Sequence, residues 1–288
     1  MMIFSKRKGL DQNILFRRSL PCSKKKMIGP FIFFDHIGPM KIETGKEIYF
    51  NAHPHIGLSN LTYLFEGSVD HRDSLGNHVN IKPFETAWMT AGNGIVHSEK
   101  IYFNKYSETM EGVFLRIALP KEQENRNPSF EHIDSKNVPT INYMGQLFSI
   151  VAGSFDGFHG AVQAYSSFFC LHSQLMLPTQ EFSYELPQNY EAGVYVLSGR
   201  IESEEEILHE GMMKVYDLGS QIKFKAKKHS KLIVFGGEIF PEDRYIWWGF
   251  VSSSREKIEI AKRKWKNQEF PKIYGESDYA ILPEEWSI

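Results

Sequence analysis

The sequence predicts an all-β protein made of two similar domains in tandem. Three observations carry this reading. Short segments rich in β-branched and aromatic residues, each bounded by Gly, Pro, Asn or Asp, fill most of the chain: "IYFNAHPHIG", "LTYLFEGSVDHRD", "ETAWMTA", "VFLRIAL", "QLFSIVAG", "GVYVLSGRIESE" and "KLIVFGG". Many short strands with regular turns fit a sandwich or a barrel. Sliding the chain on itself exposes a weak repeat, in which Tyr63, Gly67 and Val69 of "LTYLFEGSV" match Tyr195, Gly199 and Ile201 of "GVYVLSGRI". A chain of 288 residues, 42% apolar and 14% aromatic, is long enough to fill two cores.

The elements follow in order. The first 26 residues set Lys6, Arg7, Lys8, Arg17, Arg18, Lys24, Lys25 and Lys26 against a single Asp11, which reads as a solvated, basic strand edge rather than an anion-binding patch. Gly76 and Asn77, within "RDSLGNH", give good hairpin-turn chemistry between two strands. The flanking His71 and Asp73 are expected to face solvent. Late in the chain, "SREKIEIAKRKWKN" predicts a helix: Ser253 and Glu256 have capping-box spacing, and Ile258, Ala261 and Trp265 recur at helical intervals. The tail "YGESDYAILPEEWSI" mixes aromatics with acids and is expected to lie as a strap across the body. The aromatic run Tyr245 to Phe250 reads as strand or inter-domain core.

A formal net charge of -2 and a pI near 6.6 provide no global field to draw the protein to nucleic acid or an anionic membrane. Cys22 and Cys170 belong to no CxxC pattern, so neither a disulfide framework nor a thiolate metal site is expected. No stretch approaches the ~20 apolar residues of a membrane span, and a cytoplasmic, reducing compartment is expected.

Chemistry concentrates in two places. Side chains on a strand alternate faces, so His53 and His55 in "HPHIG" point the same way while Pro54 points back. Further on, His97 and Glu99 in "TAGNGIVHSEK" repeat that spacing after a glycine-rich turn. Two His-x-(His/Glu) pairs on neighbouring strands would gather three imidazoles and one carboxylate around a divalent cation. Nitrogen and oxygen donors suit iron(II), manganese, cobalt, nickel or zinc. An octahedral ion would keep two open positions, whereas tetrahedral zinc would be closed and structural.

The stretches "GPFIFFDHIGP", "HPHIG", "LTYLFEGSVDHRDSLGN" and "WMTAGNGIVHSE", in this order, resemble the pirin family. The likeness continues faintly through Leu119 and Pro120, and through "GGE" at Gly236 to Glu238, to the late helix. That resemblance implies a bicupin: two tandem cupin-type β-barrels with a few short helices. Expected boundaries are an amino-terminal barrel over 1–135 carrying the metal, and a carboxy-terminal barrel over 136–288 with the late helix and tail. In the second copy the ligand positions fall on Glu185, Pro187, His229 and Lys231, so it would hold no metal.

By motif position the resemblance implies a single iron(II) held by His53, His55, His97 and Glu99. It also implies an activity like quercetin 2,3-dioxygenase on a small aromatic, flavonol-like substrate, with Glu99 as proton acceptor as well as ligand. The alternative is a non-enzymatic, metal- and redox-dependent regulator that binds transcription or metabolic proteins. A zinc-dependent cupin isomerase or hydrolase is a third. Several positions depart from the family. Ile56, Leu58, Ser59 and Asn60 replace an arginine, an aromatic, a carboxylate and a threonine, and Asn93 stands where arginine is usual. Phe114 and Arg116 stand where Gln and Trp are usual. Such changes around the ligands would alter the substrate or silence turnover without removing the ion. Asp35 and His36 are expected either to orient a ligand or to stabilise a turn, and Trp88 and Met89 to pack in the core.

Overall fold

A computed structural model of the protein describes residues 1–10, 14–41, 47–102 and 109–286. Asp11 and the side chains of Lys6, Arg7 and Lys8 lie outside the described residues. The described residues are dominated by strand, with one α-helix among them, Arg255–Lys266. The chain divides into two compact units. One comprises Met1–Arg7, Arg17–Phe33 and Lys136–Phe240; the other comprises Lys8–Phe16, Phe34–Ser135 and Pro241–Ile288. These are not the contiguous halves expected, 1–135 and 136–288.

Packing explains both exchanges. Strand Met2–Phe4 pairs antiparallel with Met212–Tyr216, which completes an edge of the sheet in the first unit. In the second unit the late helix buries Ile258, Ala261 and Trp265 against Ala52, Ile56, Val96, Phe250, Phe270 and Ile273. Removing a large side chain such as Ile258 from water contributes ~1.5–3 kcal/mol, and burial of this face fixes the helix beside the His53 strand. The helix is not closed by the expected capping box. Its N-cap is Ser254, which makes no side-chain cap bond. Instead the buried Glu124 carboxylate accepts from the Ser253 N–H at 2.6 Å and from the hydroxyls of Ser252 and Ser253. A carboxylate at this end also suits the helix dipole.

The first unit encloses a core that includes Phe148, Phe155, Phe169, Phe182 and Phe224. Its basic side chains are tied down: Arg17 pairs with Glu210 at 2.7 Å, Lys25 with Glu191 at 2.5 Å, and Arg18 stacks over Phe33. Cys22 and Cys170 are free thiols.

The repeat seen in the sequence has a structural counterpart in each unit. Tyr63 and Tyr195 are fully buried on long strands, Gly67 and Gly199 turn the chain at φ +82° and +89°, and Val69 and Ile201 are buried at or next to the start of the strands that follow. Only glycine takes such φ values without strain, which is why this position reads alike in both copies.

In the second unit two sheets face each other. One has the spatial order Glu47–His55, Ile95–Tyr102, Val69–Asp73, His78–Ile81. In the other, Ser129–Ile133, Thr86–Thr90, Leu58–Glu66, Thr109–Ala118 and Phe31–Lys41 are successive neighbours. Leu64, Val69, Ile81, Ala87, Ile101 and Met110 fill the space between them.

Candidate metal centre

Strand register brings three of the four expected ligands, His53, His55 and His97, together. His97 lies opposite His53 on one side and opposite Asp73 on the other, while Glu99 lies opposite His71. Between His97 and Glu99 the pairing slips, so that two residues of this strand span three of Glu47–His55. A bulge of this kind re-aims the side chains around it. Here the carbonyl of Asn51 accepts from Nδ1 of His53 at 2.9 Å, and the Gly249 carbonyl accepts from Nδ1 of His55 at 3.0 Å. Both rings are thereby fixed in one tautomer with Nε2 as a bare lone pair.

His53, His55 and His97 offer ligand atoms within 4.8 Å of one another, and Nε2 of His55 is 3.0 Å from Nε2 of His97. The Nδ1 atom of His97 is buried with no hydrogen-bond partner. Three buried imidazoles crowded this closely, one with an orphaned ring nitrogen, are costly in a dry interior and fit a cation. Glu99 belongs to a second, overlapping group with His97 and His71, its Oε1 lying 3.9 Å from Nδ1 of His97. His97 is thus the hinge between the three-histidine group and the carboxylate.

Burial governs the electrostatics. It lowers the His53 pKa to about 4, and those of His55 and His97 well below the usual imidazole range, with neighbouring His rings and the Arg116 charge adding to the effect. All three are neutral near pH 7, the state a metal requires. Burial raises Glu99, against the opposing charges of His71 and Arg116 and a hydrogen bond from the Thr62 hydroxyl.

His71 and Asp73 do not face solvent; they are 2% and 1% exposed. His71 stacks on Phe130 with ring centroids 4.5 Å apart, and its Nε2 lies 3.2 Å from Asp73 Oδ2. Burial pushes the Asp73 carboxyl up, but hydrogen bonds from His71 and Asn77 outweigh it and the pKa falls. The same carboxylate accepts the N–H groups of Leu75 and Asn77 and so shapes the predicted hairpin turn. Asp35 and His36 lie within the strand Phe31–Lys41 rather than a turn. Asp35 is 3.8 Å from Arg116 Nη1, and His36 is 3.4 Å from Glu111. Trp88 and Met89 are core, as expected.

Some contributors have no signature in the sequence. Gly249 supplies the carbonyl that orients His55, and a Cβ there would sit 2.5 Å from the Pro54 oxygen and 2.8 Å from His55 Nδ1. Trp248, in the aromatic run, has its ring 6.4 Å from that of His53. On the reverse face of the ligand strands a cleft of about 670 Å³ is lined by Tyr49, Arg72, Ser98, Lys100 and Glu276. There the tail acts as the expected strap: Ser98 and Tyr49 donate to the Glu276 carboxylate at 2.7 and 3.0 Å. A further group, Glu85, His132 and Asp134, is already internally bonded, with His132 Nε2 2.8 Å from Glu85 Oε2. No helix among the described residues is long and apolar enough to cross a membrane.

Comparison with known proteins agrees with this architecture. The chain matches the Pirin family over residues 13–115 and the Pirin C-terminal cupin domain over residues 172–271. It is 40% identical over 271 residues to a pirin-like protein of Caulobacter vibrioides, covering 92% of each chain. The crystal structure of a quercetin 2,3-dioxygenase from Acinetobacter baumannii superposes with a TM-score of 0.87 at 27% identity, covering 100% of this chain and 97% of that one. A bacterial pirin from Escherichia coli in complex with nickel(II) shares the fold, with a TM-score of 0.66 at 18% identity over 83% of this chain and 100% of that one. With both family domains in their expected order and close identity along nearly its whole length, the chain belongs to the pirin family.

Proposed function

We propose that the protein is a mononuclear metal-dependent dioxygenase of quercetinase type, acting on a flavonol-like hydroxyaromatic, with His53, His55, His97 and Glu99 holding one divalent ion, iron(II) by preference. The convergence of three neutral imidazoles, with ring nitrogens of two of them 3.0 Å apart, supports this reading. A divalent ion in this position supplies Lewis acidity toward a chelating hydroxyl and keto pair and a redox partner for dioxygen.

The chain's own groups do the rest. Glu99, its pKa raised by burial, accepts the substrate hydroxyl proton, and the Thr62 hydroxyl and the Arg116 charge stabilise the carboxylate before it does so. Nδ1 contacts to Asn51 and Gly249 keep His53 and His55 from rotating. Phe130, stacked on His71, gives an apolar surface against which a flat ring would exclude water. In the overall reaction the heterocycle takes up both atoms of dioxygen and releases carbon monoxide, leaving a depside.

The test is oxygen uptake by anaerobically iron(II)-loaded protein given a panel of chelating hydroxyaromatics, quercetin first. Uptake that is lost in His55→Ala and in Glu99→Ala is expected. No uptake by verified iron-loaded protein with any member of the panel overturns the enzymatic reading. Retention of a protein partner only when metal is bound would then favour the regulatory one.

A further inference from the structure

Asn60 and Arg116 are both departures from the family pattern, and they are register partners. In the antiparallel pair Leu58–Glu66 and Thr109–Ala118 the two sit directly opposite each other, so their side chains share a face of the sheet. That face looks toward the ligands. Thr62, two residues along from Asn60 and on the same side, bonds the Glu99 carboxylate. On the other flank Asn60 is opposite Met89, which is in turn opposite Phe130, the ring stacked on His71.

The two side chains differ in what they need. Asn60 is 9% exposed, and neither its Oδ1 nor its Nδ2 has a hydrogen-bond partner. A buried amide left unpaired at both ends costs on the order of the desolvation of each group, which is repaid when a ligand supplies the missing partners. The Arg116 side chain is 24% exposed, and its Nη1 lies 3.8 Å from the buried Asp35 Oδ2, close enough to orient the guanidinium but longer than a hydrogen bond. A guanidinium matches the planar geometry of a carboxylate.

We propose that Asn60 and Arg116 form an anion-recognition pair beside the three histidines, selecting a hydroxyaromatic substrate that carries a carboxylate. One carboxylate oxygen takes N–H bonds from Arg116 and from Asn60 Nδ2, and Asn60 Oδ1 accepts from a neighbouring hydroxyl of the ligand. Asp35 offsets part of the Arg116 charge, so recognition depends on directed hydrogen bonds as well as on the field. Phe114, two residues before Arg116 on the same face, provides an apolar flank for the ring. This substrate class rests on the metal-centre reading for its chemistry, but the recognition pair does not depend on the ion.

The test compares salicylate with salicylamide by calorimetric titration of metal-free and of nickel(II)-loaded protein, with nickel content measured alongside. Salicylate is expected to bind at least about tenfold more tightly than salicylamide in both forms. Arg116→Gln and Asn60→Thr should each abolish that preference in the metal-free protein, Arg116→Gln by weakening salicylate far more than salicylamide, with a melting temperature close to that of the parent. Arg116→Lys, which keeps the charge but loses the fork, guards against misfolding through an unpaired Asp35 and should retain only part of the preference. Equal binding of the two ligands by the parent protein overturns the proposal, as does a preference untouched by Asn60→Thr and Arg116→Gln. Failure to bind nickel would count against the metal centre alone, since the metal-free titration still decides the recognition pair.

Discussion

Nε2 of His55 and Nε2 of His97 lie 3.0 Å apart, and the Nδ1–H of His55 is already committed to the Gly249 carbonyl. One lone pair therefore faces the second imidazole at a separation that two nitrogen ligands of a single cation would share. Protein purified without added metal and then titrated with nickel(II) is expected to take up a single ion per chain. His55→Ala and His97→Ala should each lose it while keeping the strand-dominated circular dichroism. Stoichiometric uptake by either variant, measured by elemental analysis, would show that the ion binds elsewhere.

His71 supports this centre from the neighbouring strand, stacked on Phe130 and bonded to Asp73. Its replacement by Phe keeps the stack, because the ring volume is similar, and Asp73 retains the N–H groups of Leu75 and Asn77. Groups that steady metal ligands are worth about 10–100-fold in metal affinity. His71→Phe is accordingly expected to weaken nickel binding by about that factor in a competition with a chelator. An unchanged affinity would reduce His71 to a packing residue.

Gly249 offers a sharper test because its backbone leaves no room. An added methyl would meet the Pro54 oxygen at 2.5 Å and His55 Nδ1 at 2.8 Å. Gly249→Ala must therefore push the aromatic hairpin away from the His53–His55 strand and break the bond that holds the His55 tautomer. The expected loss is ~1–3 kcal/mol in stability by denaturant titration, together with weaker metal binding. A variant as stable as the parent would mean that the hairpin adjusts at no cost.

The other unit should carry its own acid response. Burial lowers the His172 pKa to about 3, with the Lys231 charge adding to the shift. Unfolded, this ring takes its proton near pH 6.5; folded, it resists until about pH 3. Between those values the unfolded chain holds one more proton than the native one. Stability therefore falls as pH drops below about 6.5, at up to about 1.4 kcal/mol per pH unit from this group, and the decline ends near pH 3. His172→Gln should flatten that part of the curve in pH-resolved melts. An identical slope would assign the acid sensitivity to other groups.

What could be read from the sequence was local. The alternation of His53 with His55, the Gly76–Asn77 turn and the apolar spacing of Ile258, Ala261 and Trp265 each lie within a few residues, and each holds in three dimensions. The features that escaped depend on pairings between distant segments. His71 looked like a solvent-facing hairpin residue because nothing near it shows that Ile95–Tyr102 pairs alongside and buries it. Ser253 and Glu256 had the right spacing for a cap, yet Glu124, more than a hundred residues earlier, takes those donors. The Gly249 carbonyl carries no side-chain signal of any kind. Glu99 shows the limit of a spacing argument, since it approaches through His97 and His71 rather than standing equidistant from all three imidazoles.

The exchange of end segments has a consequence for biosynthesis. Strand Met2–Phe4 leaves the ribosome long before Met212–Tyr216, the edge it must join, and must wait without its partner. The strands bearing the histidines likewise emerge well ahead of Phe250, Ile258 and Trp265, the residues that cover Ala52, Ile56 and Val96. Neither barrel can finish closing while the nascent chain is half made. Folding of the two is therefore deferred to near the end of translation, and a nascent chain stalled at residue 135 should remain open to protease and unable to retain nickel.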